Sequence, residues 1–349
     1  MAAVSSPRSI LTPASELPVA VDAMGGDRAP GEIVAGARAA AEAGAPILLV
    51  GDPGRMGDTG GLDVLAASEV VEMHDDPARA VRSKKDSSLI RAAEAVRDGR
   101  AGAMISAGNT GAAMASALFR MGRIKGVARP AIATIIPVPG STPTVLLDAG
   151  ANAECLAAWL VQFAQMGSVF ARVRLGIANP RVGLLSIGEE PGKGNLLVKE
   201  AHALLAGGRA GPAVDFIGNV EGRDVMSDAA DVIVTDGFTG NVVLKTLEGS
   251  MKFAMGAVLD AIRADGVPED AAAALLGRLL PLAGELDPDS YGGAVLLGVD
   301  GVCIISHGSS SARAVINAVE VGRRAVADDL VGQLRQAVSG AEAPAGAAG

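Results

Sequence analysis

Short apolar segments alternate with longer alanine-rich stretches along most of the chain. A run of four to six apolar residues is typical of a strand that is buried on both faces, and apolar residues repeated every three or four positions indicate a packed helix. This alternation predicts an α/β fold, a doubly wound three-layer sandwich. The predicted strands are residues 19–23, 47–50, 70–73, 103–106, 132–136, 144–148, 181–186, 215–218, 232–235 and 301–306, and the clearest helices are 32–43, 90–97, 112–119, 154–173 and 312–325.

One segment, residues 246–286, interrupts the alternation because it contains no predicted strand. Apolar residues recur in its first half at helical spacing, namely Leu247, Met251, Met255, Val258, Leu259 and Ile262. A Gly-Val-Pro turn at 266–268 separates them from a second apolar stretch at 271–282. We therefore expect a helical hairpin inserted into the α/β domain. Its apolar surface suits a subunit interface or extra core, or else a surface that meets lipid or an acyl chain.

Four predicted strands end in small polar loops that lead directly into a predicted helix. The loops place glycine beside Asn, Thr, Ser, Asp or His, at residues 25–27, 106–111, 235–241 and 306–311. Backbone N–H groups in such a loop point at the positive end of the helix dipole, which suits an anion such as phosphate. Because ligands of parallel α/β sheets bind at the carboxyl ends of strands, we expect the four loops to converge on one phosphate site. Any one loop alone would fit an ordinary tight turn equally well.

Composition narrows the possible functions without changing the predicted fold. The 349 residues suffice for a single α/β domain, which we place at residues 19–335, between an N-terminal extension (1–18) and an Ala/Gly-rich tail (336–349) that are expected to be disordered. The net charge of −9, with one Trp and one Tyr, argues against nucleic-acid binding. No run approaches the ~18 apolar residues that span a bilayer. Cys155 and Cys303 lack a metal-binding motif and suit free thiols in a reducing cytosol.

The residues available for chemistry favour catalysis by positioning and charge stabilisation. The chain has neither a Gly-x-Ser-x-Gly nucleophile elbow nor a Walker A motif. Lys193 lies on a glycine-flanked turn, and the amides of Asn109, Asn195 and Asn241 can donate to an oxyanion. Such a set fits inorganic phosphate as the nucleophile, attacking a thioester directly without a covalent acyl-enzyme, since phosphate is already ionised and a thiolate leaves readily.

Seven motifs occur in a fixed order over residues 19–325. They are Val-Asp-Ala-Met-Gly-Gly-Asp at 21–27, Ser-Ala-Gly-Asn-Thr-Gly at 106–111, Gly-Arg-Ile-Lys-Gly at 122–126, Asp-Ala-Gly-Ala-Asn at 148–152, Phe-Ile-Gly-Asn-Val-Glu-Gly-Arg-Asp at 216–224, Thr-Asp-Gly-Phe-Thr-Gly-Asn at 235–241 and His-Gly-Ser-Ser at 307–310. Together they resemble the bacterial phosphate acyltransferase (PlsX) family. Two departures, Ala153-Glu154 and Pro191-Gly192, concern only the fine geometry of their loops.

The resemblance implies reversible transfer of a long-chain fatty acyl group from acyl-[acyl-carrier-protein] to inorganic phosphate, giving acyl phosphate for phospholipid synthesis without metal or cofactor. It implies a fold like the isopropylmalate dehydrogenase and phosphotransacetylase group, and a homodimer in the cytoplasm. It also implies peripheral contact with the inner face of the plasma membrane and a downstream membrane-bound glycerol-phosphate acyltransferase.

Residue by residue, the family's catalytic lysine and asparagine correspond to Lys193 and Asn241. The other residues expected to bind phosphate or substrate are Asp22, Gly25, Gly26, Asp27, Gly108, Asn109, Thr110, Gly111, Asn195, Asp236, Gly237, Thr239, Gly240, His307, Gly308, Ser309 and Ser310. An acidic carrier protein would need a basic docking patch, and two clusters qualify. They are Arg79, Arg82, Lys84 and Lys85, and Arg120, Arg123, Lys125 and Arg129.

Three other functions remain open. A short-chain phosphotransacylase using acyl-coenzyme A shares the chemistry but needs no apolar hairpin. A metal- and NAD-dependent decarboxylating dehydrogenase would need carboxylate ligands, for which Asp22, Asp27, Asp148 and Asp236 are candidates, although strand-end and loop-anchoring roles suit most of them better. A non-catalytic phosphate-binding scaffold is the third.

Overall fold

The computed structural model describes residues 17–264 and 267–339, and these form one mixed β-sheet with helices on both faces. The strands are Val19–Asp22 (β1), Ile47–Gly51 (β2), Asp63–Ala66 (β3), Ala103–Ser106 (β4), Ala131–Ile136 (β5), Thr144–Leu147 (β6), Arg181–Leu185 (β7), Asp215–Val220 (β8), Val232–Val234 (β9), Ala294–Leu297 (β10) and Val302–Ile305 (β11). The helices are Gly31–Glu42 (α1), Pro77–Ser83 (α2), Ser88–Arg97 (α3), Thr110–Arg120 (α4), Ala157–Leu175 (α5), Leu196–Ala206 (α6), Gly237–Ile262 (α7), Glu269–Leu286 (α8), Ala312–Ala327 (α9) and Leu330–Ser339 (α10).

Capping side chains fix the start of six helices. At each, an Asp, Asn or Ser oxygen accepts the backbone N–H three residues further along, which satisfies a donor that the helix itself leaves unpaired. The caps are Asp76 (α2), Ser87 (α3), Asn109 (α4), Asn195 (α6), Asp236 (α7) and Ser311 (α9). Three of these belong to the polar loops of the sequence, so part of the polarity of those loops serves to begin helices.

The two halves of the sheet run in opposite directions. The strand order is β3-β2-β1-β4-β11-β10-β5-β6-β9-β7-β8. The first five strands of this order are mutually parallel, β10 is antiparallel to β11 and β5, and β5 is antiparallel to β6. The last four are again mutually parallel. Consequently β1, β4 and β11 finish at one end of the sheet, here called the β1 end, whereas β6, β7 and β9 finish at the opposite end, the β7 end.

The sheet is buried on both faces, as its near-continuous apolar strands predict. Alternate residues of β1 show the two layers: Val19 and Val21 pack in the core with α1, α5, α9 and α10, whereas Ala20 packs with α2, α3 and α4 on the other face. Phe163 and Phe170 of α5 are among the largest fully buried side chains. The three-layer α/β architecture expected from the sequence is confirmed.

The hairpin is formed by α7 and α8, and it begins earlier than expected. Helix α7 starts at Gly237, within the loop that the sequence places before the helix, and α8 continues through Pro281 to Leu286. No described residue of α8 is buried, and Phe253, Val258, Leu275 and Leu280 are exposed large apolar side chains. None of the helices in the described residues combines the length and hydropathy needed to cross a membrane.

A few elements differ from the sequence-based expectation. Residues 70–73 are not a strand; the strand near them is β3, and Glu69 forms only an isolated bridge with Ser87. Strand β10 was not anticipated, because four apolar residues do not show whether a segment is helical or extended. Helix α10 continues through residues 336–339, and residues 1–16 and 340–349 of the two expected disordered segments lie outside the described part of the chain.

Candidate active site

Three of the four polar loops meet at the β1 end of the sheet. The backbone N–H of Asp27 donates to the carbonyl oxygen of Gly308 over 2.8 Å. A Cβ atom on Gly25 would lie 2.9 Å from the backbone nitrogen of Gly108, and one on Gly26 would lie 3.1 Å from the carbonyl oxygen of Ala107. Loops 25–27, 108–111 and 307–310 are therefore packed backbone to backbone, which only glycine at these positions permits.

Asp22 holds this junction together from inside. Its carboxylate accepts hydrogen bonds from the Ser106 hydroxyl (2.7 Å) and the Met24 N–H (3.2 Å), and Ser106 in turn accepts the N–H of Gly108 (3.1 Å). Burial raises the pKa of Asp22, against the opposing effect of these hydrogen bonds. Because the carboxylate is enclosed, Asp22 shapes the loops rather than facing a ligand.

The side chain of Asn109 is also committed within the protein. Its oxygen accepts the N–H of Ala112 (3.0 Å) as the cap of α4, and its amide donates to the carbonyl oxygens of Met73 (3.0 Å) and Asp75 (3.1 Å). These bonds tie the segment before α2 to the 108–111 loop. Asn109 therefore positions the backbone donors of the loop, and its amide is not available to an oxyanion.

The fourth loop, residues 235–241, lies at the β7 end, because β9 runs opposite to β1, β4 and β11. Asp236 caps α7 through Thr239, whose N–H and hydroxyl both donate to it at 2.8 Å. Gly237 and Gly240 pack against the loop that follows β6; a Cβ atom on Gly240 would lie 1.9 Å from the carbonyl oxygen of Asp148. Of the four loops expected from the sequence to converge, three therefore pack together and the fourth lies at the other end of the sheet, since a sequence does not reveal strand direction.

Asp148 anchors the β7 end as Asp22 anchors the β1 end. Its carboxylate accepts the backbone N–H groups of Ile132, Gly150, Ala151 and Asn152 and the side-chain amide of Asn152, at 2.8–3.1 Å. Burial raises the pKa of Asp148 against these bonds. Asp22 and Asp148 therefore hold loops in position, and Asp236 caps the N-terminus of α7. Among the described residues there is no group of three His, Cys, Asp or Glu side chains arranged to hold a metal ion.

A cavity of about 620 Å³ lies between one face of the sheet and α7 and reaches the three-loop junction. Its polar lining includes Gly108, Thr110, Ser306, His307, Gly308 and Ser309 from the loops, with Arg28 and Asn241. Its apolar lining includes Ile132, Ile136, Leu244, Leu247, Met251, Met255 and Leu286. This volume and this mixture of lining are those of a pocket for an amphipathic small molecule.

Helix α7 faces the cavity with two parallel stripes. Asn241, Lys245, Glu248 and Lys252 form the polar stripe, and Leu244, Leu247, Met251 and Met255 form the apolar one. Both stripes repeat every three to four residues, so each runs along the helix axis. An extended ligand lying beside α7 would meet charge along one side and hydrocarbon along the other.

A row of contacting ionisable side chains crosses the polar part of the cavity. The Lys245 ammonium contacts one carboxylate oxygen of Glu248 at 2.7 Å, and Nε2 of His307 lies 3.2 Å from the other, at ion-pair distance but without hydrogen-bond alignment. Burial raises the pKa of Glu248, but His307 and Lys245 outweigh it, so this pKa lies below its usual range. Glu248 therefore stays ionised and holds the Lys245 ammonium and the His307 ring beside the 307–310 loop.

Two buried serines beside His307 have no hydrogen-bond partner among the described residues. They are Ser306, 5% exposed, and Ser310, 1% exposed. The Ser306 hydroxyl faces Gly293, where a Cβ atom would lie 2.9 Å from it, and both residues line the cavity. Because buried hydroxyls are nearly always paired, the Ser306 hydroxyl marks a position where a ligand oxygen can bind. The sequence analysis did not single out Ser306, Arg28, Lys245 or Glu248.

Lys193 and Asn195 lie on the turn after β7, at the β7 end of the sheet. Asn195 caps α6 by accepting the N–H of Val198 (2.9 Å), so its oxygen is used locally. Lys193 is exposed and forms no ion pair with the described residues, and it is not part of the cavity lining. Asn241 does reach the cavity, beside the Gly150 turn. Lys193 and Asn241 thus follow neighbouring strands, β7 and β9, but only Asn241 lines the cavity.

Residues 17–332 match a protein-family model described as fatty acid synthesis protein. The chain is 48% identical over 336 residues to the phosphate acyltransferase of Heliobacterium modesticaldum, covering 93% of this chain and 99% of that protein. It is 46% identical over 323 residues to the phosphate acyltransferase of Geobacillus thermodenitrificans, covering 91% and 97%.

Two solved structures share the fold at low sequence identity. A branched-chain phosphotransacylase from Enterococcus faecalis is similar with a TM-score of 0.58 at 16% identity, covering 89% of this chain and 99% of that one. A phosphotransacetylase from Streptococcus pyogenes gives a TM-score of 0.58 at 16% identity, covering 93% and 94%. At this identity the likeness concerns the fold alone, and it agrees with the phosphotransacetylase-like architecture expected from the sequence.

Proposed function

The chain belongs to the fatty acid synthesis protein family and is an acyltransferase that acts on phosphate, with phosphate acyltransferases as its relatives, and from this membership we propose that it transfers a long-chain fatty acyl group from acyl carrier protein to inorganic phosphate. The product is an acyl phosphate, and the reaction is reversible. The observation that carries the proposal is the cavity, in which backbone donors and cationic groups adjoin a long apolar wall. The polar part suits phosphate and the apolar part suits the acyl chain.

In the proposed mechanism, phosphate attacks the thioester carbonyl directly and the thiolate of the carrier leaves. An oxygen of phosphate forms the new bond to the acyl carbon while the carbon–sulfur bond breaks. The protein contributes by orientation and by stabilising the developing negative charge. Burial raises the pKa of Cys155 and of Cys303 to about 12, and neither residue lines the cavity. This supports direct attack, since a thiol must ionise to act as a nucleophile.

The absence of an acyl-enzyme has a simple test. Acylated carrier protein is mixed with the enzyme in the absence of phosphate, and the free carrier thiol is measured over time. Direct attack predicts no release until phosphate is added. A burst of thiol equal to the enzyme concentration would instead demonstrate a covalent acyl-enzyme and overturn this mechanism.

Asn241 and Lys193 are proposed to stabilise the reacting centre. Asn241 lines the cavity and its amide can donate to the thioester oxyanion. Lys193 is an exposed cation on a glycine-flanked turn at the same end of the sheet as Asn241, and it forms no ion pair with the described residues. Its role is proposed from the family resemblance, since Lys193 does not line the cavity.

Two alternatives make different demands on the cavity. A phosphotransacylase for short acyl-coenzyme A substrates would not use the apolar stripe of α7, so the stripe favours a long chain. A metal-dependent dehydrogenase would need carboxylates free to bind the metal, yet Asp22, Asp148 and Asp236 accept hydrogen bonds from neighbouring residues of the fold. Among the described residues Asp27, the fourth candidate, has no two further His, Cys, Asp or Glu side chains arranged with it to hold a metal ion. A non-catalytic scaffold is disfavoured by the family, whose named relatives are enzymes.

One comparison of donors separates these functions. The purified protein is incubated with phosphate and either long-chain acyl carrier protein, long-chain acyl-coenzyme A or acetyl-coenzyme A, without metal or nicotinamide, and acyl phosphate is trapped as the hydroxamate. We expect the highest kcat/KM with the long-chain carrier protein. Faster turnover of acetyl-coenzyme A would contradict the proposal, as would failure to form any acyl phosphate.

The carrier protein is proposed to dock on α2 and the residues that directly follow it, next to the 108–111 loop. Arg79, Arg82 and Lys85 are exposed and form no ion pair with the described residues, whereas Lys84 is bound to Asp75 at 2.6 Å. The bonds from Asn109 join this segment to the 108–111 loop. Three of the four residues of the second basic cluster are already engaged: Arg120 lies 3.6 Å from Glu94, Arg123 donates to the carbonyl oxygen of Ala128, and Arg129 stacks over the ring of Trp159, which leaves Lys125 exposed.

Charge reversal tests this docking surface. Arg82→Glu should raise KM for the acyl carrier protein and weaken its dependence on salt, while leaving the kinetics with acyl-coenzyme A unchanged. Lys125→Glu, in the second cluster, is the matched control and should change neither. If both variants keep the kinetics of the unmodified protein, the carrier docks elsewhere.

We further propose that the protein is a cytoplasmic homodimer whose hairpin forms the subunit contact and touches the inner face of the plasma membrane. There its product would pass to a membrane-bound glycerol-phosphate acyltransferase. Support comes from the exposed apolar residues Phe253 and Val258 on α7 and Leu275 and Leu280 on α8. Met255, for which the sequence leaves a subunit contact and an acyl-chain surface both open, lines the cavity.

The two parts of this proposal can be tested separately. Phe253→Asp should dissociate the dimer in sedimentation experiments, and Leu275→Asp should release the protein from anionic lipid vesicles without dissociating it. A protein that is monomeric, or that never binds vesicles, contradicts the corresponding part.

A further inference from the structure

The cavity continues past the polar loops into the base of the hairpin. Beyond Glu248, its apolar walls are formed by Met251 and Met255 of α7 and by Ala283 and Leu286 of α8, while Lys252 continues the polar stripe. This extension is therefore continuous with the loop end, where the unpaired Ser306 hydroxyl and the backbone donors gather.

The length of the apolar stripe matches a long hydrocarbon chain. Leu244 and Met255 are separated by eleven residues, which is about 16 Å along a helix axis. One leaflet of the hydrocarbon core of a bilayer, filled by long acyl chains, is about half of 30 Å. An acyl chain lying along α7 would thus contact the apolar stripe over most of its length.

The hydrogen-bond donors at the loop end fix the direction in which such an acyl chain would lie. The backbone donors of loops 108–111 and 307–310, the Ser306 hydroxyl and Lys245 gather at the loop end, whereas Asp287 and Asp289, which also line the cavity, lie beside the start of α9. Both of these carboxylates are engaged, Asp287 with Arg313 and Asp289 with the Ser311 hydroxyl at 2.7 Å. An anionic head group is bound by the donors at the loop end, so the acyl chain extends from there along the apolar stripe of α7 toward the hairpin.

The hairpin end of the cavity has a fixed wall. The Ser290 hydroxyl donates to the carbonyl oxygen of Gly284 (2.6 Å), and the Tyr291 hydroxyl donates to that of Glu285 (3.0 Å). These bonds hold the last turn of α8, and with it Ala283, against the segment that leads to β10. The pairs of Asp287 and Asp289 tie the same segment to α9.

We infer that this extension is the acyl-chain subsite and that Ala283 and Met255 determine the longest chain that fits. The inference rests on the proposed function, because it assigns the acyl part of that substrate to one part of the cavity. Ala283 leaves space that a larger side chain would fill, and Met255 closes the far end of the stripe. A fixed wall then discriminates between acyl chains of different length, because it leaves room for a limited number of methylenes.

The test is the chain-length profile of Ala283→Phe, measured as kcat/KM over a homologous series of straight-chain acyl donors. If the ring displaces three methylenes, kcat/KM for the longest donor falls about 60-fold, since one buried methylene contributes about 0.8 kcal/mol, or fourfold. The shortest donor keeps its rate, which also shows that the variant is folded. Ala274→Phe places the same ring on an exposed position of α8 outside the cavity and should leave the profile unchanged.

Met255→Ala enlarges the same end, so it should raise kcat/KM of the longest donors relative to the shortest. This variant decides the question if Ala283→Phe does not fold. The inference is overturned if both cavity variants keep the profile of the unmodified protein, or if Ala274→Phe shifts the profile as much as Ala283→Phe. In those cases the unmodified protein still forms acyl phosphate. If it forms none from any donor, the proposed function fails and the subsite fails with it.

Discussion

Ser306→Ala should separate phosphate binding from protein stability. The Ser306 side chain is 5% exposed, and its hydroxyl lines the cavity without a partner among the described residues. An unpaired buried hydroxyl costs about 1–3 kcal/mol, so its removal should raise the free energy of unfolding by about 1 kcal/mol in the absence of ligand. The same hydroxyl is placed to donate to a phosphate oxygen.

The expected kinetic effect follows from the strength of that bond. A hydrogen bond to a charged group contributes about 1.5–3 kcal/mol, and each 1.4 kcal/mol is tenfold in binding. KM for phosphate should therefore rise roughly 10- to 150-fold, with little change in kcat if the bond is equally strong in the ground and transition states. Initial rates over a range of phosphate concentrations, at saturating acyl donor, give both parameters.

Ser116→Ala is the matched control. The Ser116 hydroxyl on α4 is equally buried and unpaired but does not line the cavity. This variant should be stabilised in the same way while keeping the KM for phosphate of the unmodified protein. If Ser306→Ala keeps that KM as well, the hydroxyl does not bind phosphate and the assignment of the loop end is refuted.

Three further predictions concern catalysis and packing. Lys193→Ala should lower kcat/KM about 10²- to 10³-fold with an unchanged unfolding temperature, because the side chain is exposed; near-normal turnover would exclude the role. Gly240→Ala should destabilise the protein by about 3 kcal/mol or more, since its Cβ would overlap a backbone oxygen, whereas Gly249→Ala, in open space on the same helix, should stabilise it by up to about 1 kcal/mol; equal denaturation midpoints would contradict this. Alkylating reagents at pH 8 should leave activity unchanged, because a thiol with a pKa of about 12, as at Cys155 and Cys303, is only about one part in 10⁴ ionised there; rapid inactivation would contradict it.

The alternating apolar and alanine-rich segments were sufficient to predict the layers of the fold. The spacing of apolar residues along the chain reflects which strands and which helix faces are buried. These segments did not predict strand direction. The 235–241 loop resembles the other three loops, yet β9 runs the opposite way, so its polar residues begin α7 at the β7 end. Short strands such as β3 and β10 escaped prediction because four residues carry no periodicity that separates strand from helix.

The candidate site was predicted in part for a similar reason. Glycine-rich loops reveal themselves by local composition, so loops 25–27, 108–111 and 307–310 could be found from the sequence. The role of Glu248 and that of Ser306, which lies in the predicted 306–311 loop, could not, because these roles depend on a helix and a loop that lie far apart in the chain and meet only in the fold. The side-chain amide of Asn109 and the carboxylate of Asp22 were expected to face the ligand, but capping and loop anchoring use their hydrogen-bonding capacity.

The position of bound phosphate tests the central claim most directly, namely that acyl transfer to phosphate takes place in this cavity. A crystal structure of the protein with inorganic phosphate should show the anion within hydrogen-bond distance of the Ser306 hydroxyl and of backbone nitrogens in loops 108–111 and 307–310. Phosphate bound outside the cavity, with the Ser306 hydroxyl still unpaired, would contradict the account.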